Sequence, residues 1–181
     1  MARWFNVRKA AQVAAFFTRE EGGTIDVLKL VKLIYLAERE CLERYEFSVL
    51  NDSLVSMDHG PVNSKTYNHI NGCDFERDAW GEFMTGRANY RVGVARPDLA
   101  DDQLDELSFA EIGLLHDVWD NFGGMTKYQI RDWTHNHCTE WEDPNGSSLE
   151  ITYERVFAAL GKPPELAEKI RSDRAIHQAF A

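Results

Sequence analysis

Cysteine is scarce in this sequence, and it contains no long apolar run. The 181 residues include 3 cysteines, Cys41, Cys73 and Cys138, and an odd number without a CxxC pair does not build a disulfide framework. No stretch approaches the roughly 18 to 20 apolar residues of a membrane-spanning helix. The N-terminus also lacks the apolar segment and cleavage site of a signal peptide. We therefore expect a protein of the reducing cytoplasm that does not bind a membrane.

Positive charge is also in short supply. The 20 lysines and arginines stand against 30 aspartates and glutamates, which gives a net charge of −10. A chain of this charge repels a phosphate backbone, and its one basic cluster (Arg3, Arg8 and Lys9) is small. We therefore expect no nucleic-acid binding. The acidic surface suits a basic protein partner, and it equally serves solubility.

Several enzyme signatures are missing. The glycine pairs at 22–23 and 123–124 lie outside the strand–glycine–helix context of a phosphate-binding loop. No serine or cysteine nucleophile motif is present. The run His135-Asn136-His137-Cys138 does not have the usual zinc-ligand spacing. We therefore expect neither a metal nor a cofactor.

The hydrophobic residues recur mostly at helical spacing. They make up 44% of a chain that is long enough for a sizeable core. The fold we predict is mainly α: a single globular helical domain over residues 1–181, built around a central buried helix, with small β-hairpins. The predicted helices cover about 6–21, 26–45, 61–71, 108–122, 126–133, 152–160 and 164–179. The predicted strands cover about 47–50, 54–57, 82–85 and 89–95.

The central helix is predicted from Asp26 to about Tyr45, with Thr24 as its cap. Apolar residues cover most of its circumference, so the helix must lie inside the protein. Only a narrow polar stripe remains, which consists of Lys29, Lys32, Arg39, Glu40 and Glu43. Pro61 is expected in the first turn of the following helix. Two later helices begin at capping boxes, Ser108 with Glu111 and Thr126 with Gln129.

Four motifs follow one another between about residues 24 and 141. The central helix carries LKLVKLIYLA at 28–37, and Gly60-Pro61-Val62 with Tyr67 follows it. Residues 107–123 carry an LS…E…V…FG pattern, and Thr126 to Trp141 carries the pair Thr134-His135. This ordered set resembles the Panacea family of bacterial and phage antitoxins, also called SocA-like. The chain departs from the family pattern at Phe122, where tyrosine is expected, and before Trp141, where proline is expected.

The resemblance implies an antitoxin rather than an enzyme. Such a protein binds and neutralises a cognate protein toxin that is encoded nearby. An alternative implied by the family is a proteolytic adaptor that delivers the toxin to the ClpXP protease. The helices at 150–180 lie beyond the motifs. The family's motif residues in this sequence are Leu30, Lys32, Tyr35, Glu38, His59, Gly60, Pro61, Val62, Tyr67, Thr134, His135 and Trp141.

Glu38 is the polar residue in an otherwise apolar stretch of the central helix. A buried carboxyl group must find partners or change its pKa. In an enzyme, Asp58-His59 with Glu38 and Tyr35 would form an acid/base group, and a hydrolase that uses Glu38 and His59 is the competing hypothesis. In a structural role, Glu38 would tie the Gly60-Pro61 turn to the helix through His59 or a backbone amide. We favour the structural role.

Three aromatic residues and the tail are candidate interaction elements. Trp80, Phe83 and Trp141 lie beside turns, and aromatic residues are frequent in interface hot spots. The alternative is that they cover the core. The segment Ala179-Phe180-Ala181 is small and apolar, which is the kind of end that AAA+ proteases recognise as a degradation signal. In the alternative, Phe180 packs against a neighbouring helix.

Overall fold

The computed structural model describes residues 4–72 and 76–180. Arg3, Cys73 and Ala181, which entered the predictions above, lie outside these ranges. The fold is mainly α-helical, as predicted. The helices are α1 (Val7–Glu20), α2 (Val27–Tyr45), α3 (Ser64–Ile70), α4 (Arg77–Gly81), α5 (Phe109–Phe122), α6 (Lys127–His137), α7 (Tyr153–Ala159) and α8 (Leu166–Ala179). The strands are β1 (Thr24–Asp26), β2 (Leu54–Met57), β3 (Gly60–Asn63), β4 (Arg91–Gly93) and β5 (Leu149–Ile151).

Helix α2 occupies the centre of the protein, which confirms the central-helix prediction. It packs against α1, α5, α6 and α7 and against strands β1 and β3. Its apolar positions are buried almost all the way round. The polar stripe differs from the prediction, because Lys29 and Lys32 are also buried. Lys29 Nζ is satisfied there by Glu21 Oε2 at 2.6 Å and by Gly123 O at 2.7 Å.

Several helix starts follow the sequence prediction. Asn6 caps α1 by accepting a hydrogen bond from the Lys9 amide at 3.0 Å. Both predicted capping boxes are formed, at the starts of α5 and α6. The cap of α2 is different, because Asp26 accepts from the Leu28 amide at 3.0 Å. Thr24 lies in β1, whose pairing with β4 holds it in an extended conformation.

The β2–β3 hairpin replaces two sequence predictions. Residues 47–50 do not form a strand, and β2 pairs instead with β3 and with β5, both antiparallel. A two-residue turn at Asp58-His59 joins β2 to β3. Pro61 lies in β3 opposite Ser56 rather than in a helical first turn. Strand β3 is at the edge of its sheet, where a proline without an N–H is tolerated.

Asp52 sets the start of α3 from outside the helix. Its carboxylate is buried and accepts from the backbone amides of Lys65 and Thr66, each at 2.9 Å, and from the Thr66 hydroxyl at 2.7 Å. The side chain of Asn63, the cap residue of α3, makes no hydrogen bond to these amides. Asp52 therefore satisfies them in its place. Burial raises the pKa of Asp52, while these hydrogen bonds lower it.

The second predicted hairpin is only partly formed. Strand β4 lies within the predicted segment 89–95, but it pairs with β1, and only a single bridge joins Met84 to Val94. Sequence patterns also missed α4, β1 and β5, since elements of three to five residues are too short to show a period. Within residues 4–72 and 76–180, no helix is long and apolar enough to cross a membrane.

Candidate partner-binding cleft

A cleft of about 540 Å³ opens at the N-terminal end of α2. Its walls come from the first turns of α2, the β2–β3 hairpin, α3, the turn before β4, and the first turns of α6. The cleft therefore forms only when segments about 100 residues apart in the chain pack together. It contains Lys32, His59, Val62 and Tyr67 of the predicted motif residues.

Gly60 allows the hairpin to approach α2 and α6 closely. Its φ of +101° is a conformation that other residues rarely adopt. A Cβ at this position would lie 2.9 Å from Thr134 Oγ1 and 3.1 Å from Lys32 Nζ. Both its backbone conformation and its contacts therefore require glycine, as the motif resemblance implies for the turn.

Lys32 ties the hairpin to the central helix. Its side chain is 1% exposed, and its Nζ donates to the carbonyl oxygen of Pro61 at 2.8 Å. Burial lowers the pKa of Lys32 to about 7, because the charged ammonium loses its hydration. Lys32 thus performs the structural role that the sequence analysis assigned to Glu38.

Glu38 is directed elsewhere. Its Oε2 accepts from the backbone amide of Leu50 at 3.1 Å, so it fixes the loop after α2 and not the Gly60-Pro61 turn. Burial raises the pKa of Glu38 to about 7, against the lowering effects of Ser48 and the Leu50 amide. His59 lies exposed in the cleft. Of the four residues of the hypothetical acid/base group, Tyr35 and Glu38 are therefore buried, whereas Asp58 and His59 are exposed at the cleft.

Tyr35 pairs with a residue that the sequence analysis missed. Its hydroxyl donates to Glu140 Oε1 at 2.7 Å, and Arg39 Nε donates to the same oxygen at 2.8 Å. Glu140 is 2% exposed. Burial and the nearby carboxylate raise the pKa of Tyr35 well above its ordinary value. The available signal was the departure from the family pattern just before Trp141, where this chain places an acidic residue.

Trp141 and His135 support the hairpin from the side of α6. Their rings stack with centroids 4.2 Å apart and planes inclined by 18°. The indole N–H of Trp141 donates to Met57 O at 2.9 Å, at the end of β2. Trp141 is half-buried, so part of its ring reaches the surface. Its predicted role in partner binding stays a prediction.

Trp80 and Phe83 are buried, which agrees with the alternative that they cover the core. Trp80 is 8% exposed and stacks on His69 with ring centroids 5.4 Å apart. Phe83 is fully buried, and the guanidinium of Arg8 lies 4.8 Å from its ring centroid. Both are core residues, because the short helix α4 packs against α1. They therefore offer no surface to a partner in this structure.

Two exposed tyrosines at the cleft were missed. Tyr90 is 71% exposed and Tyr128 is 55% exposed. The Arg87 guanidinium lies 4.9 Å from the Tyr90 ring centroid, and the Arg131 guanidinium lies 5.1 Å from that of Tyr128. For Tyr128 a signal was available: it lies two positions before the buried Ile130, which places it on the opposite side of α6.

The cleft is richer in positive charge than the protein as a whole. Its lining includes four lysine and arginine side chains but only two carboxylates, Asp26 and Asp58. Asp26 pairs with Lys127 at 2.7 Å, and Asp58 Oδ1 accepts from the Gly146 amide at 2.9 Å. Because burial lowers the pKa of Lys32 to about 7 and Arg131 pairs with Asp132, the excess of positive charge rests mainly on Arg87.

The remaining predicted groups lie away from the cleft. Arg8 forms ion pairs with Glu82 and Asp105, and Lys9 pairs with Glu111, so the described part of the basic cluster is neutralised. No group of three or more histidine, cysteine or acidic residues in the described ranges is arranged to hold a metal.

The tail of the described chain does not pack as the alternative hypothesis expected. Ala179 ends α8, and Phe180 is 88% exposed, so its ring does not dock on a neighbouring helix. Ala181 lies outside the described residues. The degradation-signal hypothesis stays a prediction.

Comparison with known proteins matches one family. The family model of the antitoxin SocA-like Panacea domain matches residues 30–142. This stretch contains most of α2, the β2–β3 hairpin, α3, α5 and α6, and hence most of the cleft lining. No curated protein and no solved structure matches the chain.

Proposed function

The chain belongs to the antitoxin SocA-like Panacea family, and from this premise we propose that it neutralises a cognate protein toxin by binding it directly. The observation that carries the proposal is that the family-matched stretch builds a cleft that combines arginine side chains with exposed tyrosines. Tyrosine and arginine are enriched among the residues that dominate protein–protein binding energies. The toxin would be the product of a neighbouring gene in the bacterial cytoplasm.

Neutralisation would proceed through a stoichiometric complex. The antitoxin would cover the toxin's active surface or hold the toxin in an inactive conformation. A stable complex buries more than about 1,000 Å² in total, so the contacts would extend beyond the cleft. The cleft floor is held by the Lys32–Pro61 and Trp141–Met57 hydrogen bonds. A site that is already ordered loses less conformational entropy on binding.

The proposal includes no catalysis by this protein. The carboxyl group of Glu38 is buried and bound to the Leu50 amide, whereas His59 lies in the open cleft. The competing hydrolase hypothesis needs these two groups to act on one substrate. The double variant E38Q/H59N tests it: neutralisation by this variant, with the fold intact, excludes catalysis by the pair.

The adaptor mechanism is the alternative, and it rests on the family resemblance. An adaptor shortens the half-life of the toxin in cells by handing it to ClpXP. A direct blocker leaves that half-life unchanged or lengthens it. Pulse-chase measurement of the toxin, with and without ClpX, distinguishes the two mechanisms.

The deciding experiment expresses the adjacent open reading frame alone and together with this protein in a naive host. We expect the neighbour to arrest growth alone, to be harmless in co-expression and to co-purify with the antitoxin. Rescue in which the neighbour disappears, and reappears when ClpX is removed, supports the adaptor instead. A non-toxic neighbour contradicts the proposed function.

A further inference from the structure

The uncompensated charge of the cleft is concentrated near its exposed tyrosines. Lys127 has Asp26 as a partner, and Arg131 has Asp132, each at hydrogen-bond distance. Among residues 4–72 and 76–180, Arg87 contacts uncharged groups, which are the side-chain carbonyl of Asn71 and the ring of Tyr90. Within the described part of the chain, the positive charge of Arg87 therefore has no acidic partner.

The arginines and tyrosines of the cleft form two similar pairs. Arg87 lies against Tyr90, and Arg131 lies against Tyr128. In each pair the guanidinium lies over the face of the ring. Asp132 occupies Nε and Nη2 of Arg131, and Asn71 occupies Nη1 of Arg87, so each guanidinium keeps other N–H groups for a carboxylate. These four side chains, Arg87, Tyr90, Tyr128 and Arg131, are called the arginine–tyrosine rim below.

The exposure of the rim favours a polypeptide over a small anion. The two tyrosine rings are more than half exposed, so they offer apolar area around the cleft as well as inside it. A small anion would satisfy the arginines and leave this area in water. A polypeptide segment would pair with the arginines and also cover the apolar area of the tyrosine rings.

The charge of the rim selects the type of segment. The rest of this protein is strongly acidic and repels an acidic partner at a distance, whereas Arg87 in the cleft attracts a carboxylate locally. Building on the proposed function, we propose that the cleft docks an acidic segment of the toxin. Its aspartate or glutamate carboxylates pair with Arg87 and with the N–H groups of Arg131 that Asp132 does not occupy, and its apolar atoms cover Tyr90 and Tyr128.

The test compares charge-matched variants of the full-length antitoxin. R87Q/R131Q removes two positive charges from the rim. R171Q/R174Q removes two from the exposed side of α8, outside the cleft lining, and is the control. The toxin is the purified neighbour product, and circular dichroism verifies that each variant folds.

We expect R87Q/R131Q to raise the Kd for the toxin by about tenfold or more, as loss of interface hot spots does, and R171Q/R174Q to change it by less than about twofold. Y90A/Y128A should weaken binding comparably to R87Q/R131Q. The Kd of the wild type should also rise more steeply with salt than that of R87Q/R131Q. Finally, a toxin variant with one carboxylate changed to lysine should recover affinity for R87E.

Other results overturn the inference. Wild-type affinity in both rim variants, or an equal loss in R171Q/R174Q, overturns the docking site and leaves the proposed function in place. Absence of toxin binding by the wild type overturns both. A wild-type dimer that R87Q/R131Q converts to a monomer assigns the cleft to a second copy. Micromolar binding of inorganic pyrophosphate, lost in R87Q/R131Q while toxin binding persists, assigns it to a small anion.

Discussion

The hydroxyl of Tyr35 donates a hydrogen bond to Oε1 of Glu140 over 2.7 Å. Arg39 contacts the same buried carboxylate from the next turn of α2. The three side chains join the middle of the central helix to the loop after α6. Since that loop continues into Trp141, which binds Met57 O, this group of contacts also helps to position the β2–β3 hairpin.

We predict that Glu140→Ala lowers the free energy of unfolding by about 3–5 kcal/mol, because Arg39 then stays largely buried without its partner. Glu140→Gln should cost less, since its amide oxygen still accepts from Tyr35. Urea denaturation measures both changes. Glu142→Ala is the control, because that side chain is 64% exposed. Equal stability of the two alanine variants contradicts the prediction.

Glu38 should make the protein less stable as the pH rises from about 4.5 to about 7. Burial raises the pKa of Glu38 from its ordinary value of 4.5 to about 7. In this range the unfolded chain has released the proton and the folded chain still holds it, so stability falls with pH. The contribution is up to roughly 3 kcal/mol.

Glu38→Gln removes this titration. The difference in unfolding free energy between wild type and E38Q should therefore shift against the wild type between pH 4.5 and pH 7. Glu43→Gln, at an exposed position of the same helix, should show no such shift. A pH-independent difference for E38Q means that Glu38 titrates normally.

Lys32 should act in the opposite direction at higher pH. Burial lowers the pKa of Lys32 from 10.5 to about 7. Between these values the unfolded chain carries the additional proton, so the stability of the folded protein rises with pH, by up to roughly 5 kcal/mol. Chemical denaturation between pH 7 and pH 10 should show this rise in the wild type and lose it in Lys32→Met. The exposed Lys169→Met is the control, and a parallel response of both variants contradicts the assignment.

Gly60→Ala should be more damaging than the same change at another glycine of positive φ. Gly146 has a φ of +83°, and a Cβ added there would have no atom within 4 Å. A Cβ added at Gly60 would lie 2.9 Å from Thr134 Oγ1. We expect roughly 1 kcal/mol for Gly146→Ala from the backbone alone and about 2–4 kcal/mol for Gly60→Ala. Adding Thr134→Ala to Gly60→Ala should recover part of the loss in thermal denaturation. Equal costs at both glycines would show that the close contact is unimportant.

The sequence alone was sufficient for most of the helices and for the family. Asn6, Ser108 and Thr126 mark helix starts because a cap binds an amide only two or three residues away. The apolar circumference of α2 placed it in the core because the helical period is a local property. The ordered motifs predicted the family that the comparison confirms.

Only the tertiary structure decided which residues meet across the protein. Lys32 bonds to Pro61 while Glu38 bonds to Leu50, and no local pattern distinguishes those two buried side chains. Glu140 is about 100 residues from its partners on α2. Strand β3 pairs with β2 because the two-residue turn brings the two strands together. Pro61 therefore lies in a strand, although its sequence context predicted the first turn of a helix. The cleft was also decided by the tertiary structure. The segments that line it are distant in the sequence and become neighbours only when the protein is folded.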